Sequence, residues 1–129
     1  MLDRPKVKYF ILSRNVSINE HGTIDILGTY EGYSGKTFPR TEPQAGALGI
    51  YGLTPGAYHR VCIEIKQNGE PIGRFEYNPV TTQDRLFTIT LGLGAPAFQI
   101  KYLAPIEYAV FIDDEYIDSH FVPVVEGED

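Results

Sequence analysis

A chain of 129 residues, 43% hydrophobic and 22% charged, has the size and balance of one globular domain spanning residues 1–129, and excludes disordered, collagen-like and coiled-coil classes. The net charge of −6, without any run of basic residues, excludes a phosphate-neutralising nucleic-acid surface. One cysteine, Cys62, leaves no intrachain disulfide and no cysteine-based zinc cluster, which fits a reducing compartment.

The chain opens on a strand, VKYFIL. Its apolar run is too short for the core of a secretory signal. No stretch approaches the roughly 18 apolar residues of a membrane-spanning helix. The expected location is the cytoplasm, or a virion assembled there, with no membrane partner. His21-Gly22 turns the first hairpin, and Thr23 to Tyr30 returns with Ile24, Ile26 and Tyr30 on one face. The segment from Glu31 to Gly46, EGYSGKTFPRTEPQAG, carries no strand pattern. It exceeds the usual length of a connection, and such loops carry recognition.

From Tyr58 to Lys66 the residues alternate, placing Val61, Ile63 and Ile65 inward and Cys62, Glu64 and Lys66 outward, the period of two of a half-buried strand. Asn68-Gly69 closes a tight hairpin, since both tolerate positive φ. Phe87, Ile89, Leu91 and Leu93 alternate in the same way within Leu86–Leu93. Asp113-Asp114 closes another hairpin between Tyr108–Ile112 and Tyr116–Val125. On that last strand Phe121, Val122, Val124 and Val125 are apolar on both parities, as if covered on both faces by this chain or another. Glu126, Glu128 and Asp129 form a short acidic tail, residues 126–129. An echo between Pro55-Gly56-Ala57-Tyr58 and Pro105-Ile106-Glu107-Tyr108 reads as two similar hairpin openings with a Tyr packed over each turn.

No window shows a 3.6-residue apolar stripe, and nine prolines with thirteen glycines interrupt helices of useful length. The expectation is an all-β domain of about eight or nine strands with little helix. That many strands bury their apolar faces as a two-sheet antiparallel Greek-key sandwich.

The opening VKYFIL, the hairpin NEHGTIDILGTYEGY, Phe38-Pro39, and the closing EYAVFIDDEYIDSHFVPV resemble a family of small uncharacterised prokaryotic β-sandwich proteins, a domain of unknown function. The resemblance implies an immunoglobulin-like sandwich in bacteria or their viruses. It carries over no catalytic residue.

Compact catalytic motifs with a mechanical basis are absent: there is no G-x-S-x-G, H-E-x-x-H or G-x-x-x-x-G-K-[ST] in the chain. Asp113, Asp114, Glu115 and Asp118 lack the spacing that wraps a loop around calcium and read as a solvated hairpin tip. Tyr116, Asp118 and His120 share one face by alternation, too widely stepped to ligate one ion together. His59 joins them only if its strand lies alongside. Cys62 is a nucleophile only with a histidine beside it, and otherwise a small side chain on a strand face. No residue is assigned a catalytic, cofactor-binding or metal-ligating role, and no cofactor is expected.

Nine tyrosines without tryptophan serve mostly as cross-strand packing. Tyr33, between Gly32 and Ser34 in the long loop, is the one expected to be exposed. Phe38-Pro39 anchors that loop and leaves Lys36 and Arg40 to project. Tyr33, Lys36 and Arg40 are therefore the candidate interaction residues of a non-enzymatic protein-interaction or assembly module, with another protein as partner. Binding of a small ligand or carbohydrate is the alternative, a dispersed-site hydrolase the third reading, and a homodimer through a sheet edge a further expectation.

Overall fold

The computed structural model describes residues 4–18, 20–21, 24–30, 32–36, 38–42, 45–84, 89–93 and 98–127. Among them the chain is all-β, with twelve strands and no helix: β1 (Lys6–Ile18), β2 (Ile24–Tyr30), β3 (Tyr33–Gly35), β4 (Arg40–Glu42), β5 (Gly46–Tyr51), β6 (His59–Gln67), β7 (Glu70–Val80), β8 (Ile89–Leu93), β9 (Phe98–Ile100), β10 (Ile106–Ile112), β11 (Glu115–Val122) and β12 (Val124–Glu126). No helix among the described residues is long and apolar enough to cross a membrane.

Two four-stranded antiparallel sheets run in the orders β2-β1-β5-β8 and β11-β10-β6-β7. Two smaller pairs accompany them, antiparallel β4-β9 and parallel β12-β3. The segment expected to be one long loop thus contains β3 and β4. Their strand character comes from partners far away in the chain, which local patterning does not record.

Local chemistry explains the tight turns. Asn68 and Gly69 have φ of 51° and 76°, and Asp113 and Asp114 have 52° and 67°, the pairs of positive values that a two-residue hairpin of matching twist requires. The first hairpin joins β1 to β2 with Val16 opposite Ile26; Gly22 and Thr23 at its turn lie outside the described residues, as do Leu86 and Phe87 before β8.

One apolar cluster draws on both large sheets. Val61, Ile63 and Ile65 of β6 and Ile106, Tyr108 and Val110 of β10 meet Leu12, Leu48 and Ile50 of β1 and β5. Phe10 of β1 reaches across to Tyr108, ring centroids 4.8 Å apart, and stacks on His120 of β11 at 5.2 Å. Tyr77 of β7 donates its hydroxyl hydrogen to the Gly92 carbonyl of β8 at 2.8 Å, and burial pushes its phenol up to about 12.

Several expectations change here. Tyr33 is 9% exposed and belongs to the core cluster, because pairing of β3 with β12 turns its ring inward beside Val124. A bulge in β11 sets Tyr116 opposite Phe111 and Asp118 opposite Val110, so Tyr116 and Asp118 fall on opposite faces rather than one. The echo of the two Pro/Tyr segments has no structural counterpart, since Tyr58 is 77% exposed and Tyr108 fully buried. The apolar run closing the chain is covered on one parity only: Val122 and Val124 are buried, Phe121 and Val125 exposed.

Candidate interaction surface

Gln67 ends β6 on the same parity as Val61, Ile63 and Ile65 and is 0% exposed. A primary amide offers two N–H donors and an oxygen with two lone pairs, and a buried one is costly unless they are used. All four are used on one neighbouring segment. Nε2 donates to the carbonyls of Tyr102 (2.9 Å) and Ala104 (2.8 Å), and Oε1 accepts from the amides of Lys101 (2.8 Å) and Tyr102 (3.2 Å). A single side chain thereby satisfies much of the backbone of the β9–β10 connection, residues 101–105, which has no strand partner of its own.

The connection is held from a second side by Glu70 at the start of β7. Its carboxylate accepts from Lys101 Nζ at 2.7 Å and from the Tyr102 hydroxyl at 2.6 Å. Lys101 first and Tyr102 second hold the Glu70 carboxyl below the usual range. The tip so fixed exposes two bulky side chains: Leu103 is 51% and Tyr102 39% exposed. Ile106, just beyond, pairs with both Gln67 and Val122. Phe121, opposite Glu107 and 67% exposed, therefore lies at the same end of the sheet.

Of the residues singled out in the sequence, Lys36 is exposed between β3 and β4. Arg40 holds the register position opposite Ile100, one residue before the clamped connection; its side chain lies outside the described residues. Tyr33 is in the core, so the three do not form one exposed patch. Phe38 packs against the core, as an anchor for that segment would.

Carboxylates at the β10–β11 turn are exposed, as a solvated hairpin tip would be, and those of Asp113 and Asp114 also pair with protein groups. Asp113 Oδ2 lies 2.7 Å from His59 Nδ1, Asp113 Oδ1 accepts from the Arg60 amide at 2.9 Å, and Asp114 accepts from the Arg60 guanidinium at 2.6 Å. Burial opposes the Asp113 charge, but the Arg60 N–H and the His59 ring outweigh it and hold the carboxyl low. The second ring nitrogen of His59 faces the Thr54 carbonyl at 3.3 Å. His59 is separated from β11 by β10, so it does not join His120. Cys62 lies outward between Phe111 and Glu76 and outside the core cluster. Its neighbours nevertheless bury it, and that burial pushes the thiol up.

Gln67, Tyr102 and Leu103 are not singled out by sequence, and Phe121 only as part of the apolar run that closes the chain. The one available signal is the composition KYLAP, two bulky apolar residues in a connection closed by proline. Compared with protein-family models, curated proteins and solved structures, the chain matches none.

Proposed function

We propose that the chain is a non-enzymatic protein-interaction or assembly module, built on an immunoglobulin-like Greek-key sandwich and working through the Gln67-clamped connection together with Phe121 at the same end of the sheet. Support for the scaffold comes from the strand order, in which the β6-β7 and β10-β11 hairpins lie side by side although β8 and β9 intervene in sequence. The carrying observation for the function is the saturated amide of Gln67 behind an exposed Tyr102-Leu103 tip. Holding a binding loop in place before association reduces the ordering cost of binding. Exposed bulky apolar groups on such a loop supply contact area that a partner can desolvate.

The test is stoichiometric co-purification of the tagged protein from its native host, with wild type and the double variant Leu103→Ser/Phe121→Ser side by side. The reading predicts a protein partner recovered with wild type and lost with the variant, while the variant keeps wild-type thermal stability. Recovery of the same partner at equal yield by both proteins would contradict it.

A further inference from the structure

The β5–β6 connection, residues 52–58, is fixed by three contacts, two of them on the Thr54 carbonyl. The Gly56 amide donates to the Thr82 carbonyl at 3.0 Å, the Ala57 amide to the Thr54 carbonyl at 3.3 Å, and His59 Nε2 lies 3.3 Å from that same Thr54 carbonyl. His59 is itself held by Asp113 at 2.7 Å. Thr82, buried after β7, donates its hydroxyl hydrogen to the Asp84 carbonyl at 2.8 Å. The two connections therefore form one braced rim.

Between them lies an open recess of about 800 Å³ lined by Pro55, Gly56, Tyr58, Thr81, Thr82, Gln83 and Ile89, within the roughly 300–1,000 Å³ of small-ligand sites. Among the described residues that line it, none is charged. Tyr58 offers an aromatic face that is 77% exposed. Around it stand hydroxyl and primary-amide side chains, Thr81 and Gln83, each able to both donate and accept. Gly56 has φ of +76° and open space where a Cβ would stand, so the floor at that point is bare backbone.

We propose that this recess is a binding site for neutral carbohydrate, a sugar ring stacking on Tyr58 while its hydroxyls pair with Gln83 and Thr81. An aromatic face takes the apolar C–H side of a sugar ring, and uncharged donor–acceptor groups match hydroxyls without the desolvation cost of an ionised partner. The site lies on residues separate from the Gln67-clamped connection, so the two proposals stand or fall independently.

The experiment is an amide-resolved NMR titration of the full chain with maltohexaose, cellohexaose and chitohexaose, each to millimolar concentration, using wild type and Tyr58→Ala. Because Tyr58 is exposed and outside β6, the variant is expected to fold, which its own amide spectrum verifies. Saturable shifts from at least one sugar, centred on residues 55–58 and 81–83 and weakened about tenfold or more by Tyr58→Ala, are the predicted result. Absence of shifts with all three sugars, shifts centred elsewhere, or equal affinity in Tyr58→Ala would each overturn the proposal.

Discussion

Replacing Gln67 by leucine removes four hydrogen bonds at once and leaves the backbone groups of residues 101–104 to find water or go unpaired. The expected cost is about 2–4 kcal/mol, read from the urea midpoint at constant slope; a loss under about 1 kcal/mol would contradict the clamp. His120 presents the opposite case. Its Nε2 is buried with no hydrogen-bond partner among the described residues, while the ring stacks on Phe10. His120→Phe keeps the stack, removes the unsatisfied nitrogen, and is expected to stabilise the fold by about 1 kcal/mol in the same assay. The sequence marks His120 only as one of three residues on a strand face, and Gln67 not at all. A glutamine before Asn68-Gly69 looks like any polar residue at a strand end, and only the return of the chain at residues 101–104 makes it a structural centre. Tyr33 misleads for the same reason, because its partner strand β12 is distant in the chain.

At the level of elements, the hairpin tip of β10 and β11 is tied to the start of β6 through Asp113. Its carboxyl binds a proton less readily in the folded chain than at the ordinary value of 3.8. The unfolded chain therefore takes up that proton first as the solution is acidified. The stabilisation is present above the ordinary value and fades as pH falls through the lower folded value. In Asp113→Asn this part of the acid dependence is expected to flatten, which denaturant titrations at neutral pH and below pH 4 would reveal; an unchanged acid dependence would count against the tie. Both hairpins with positive-φ pairs, and the alternation of β6, were legible because turn chemistry and period-two patterning are local. The bulge in β11 was not, since one extra residue reverses every later side chain without altering composition.

Across the whole molecule, residues of both four-stranded sheets share one apolar cluster, so neither sheet is expected to melt alone. Ile50→Ala in one sheet and Ile63→Ala in the other should each cost about 2–5 kcal/mol. Both should shift a single transition seen alike by far- and near-ultraviolet circular dichroism; two separated transitions would contradict the shared core. All-β character could be read from the absence of helical periodicity. The parallel β12-β3 pair and the small β4-β9 pair could not, because three-residue strands carry too few positions to show a period. The candidate surface was equally hidden, as it is assembled from β6, the β9–β10 connection and β11.

Hydrogen exchange of the free protein at the Lys101 and Tyr102 amides tests the central claim, a recognition loop held in place before any partner arrives. Both amides donate to Gln67 Oε1, and the account predicts exchange slowed by about a hundredfold or more relative to an unstructured chain, with that protection lost in Gln67→Leu. Exchange of these amides at unstructured-chain rates in the wild-type protein would contradict it.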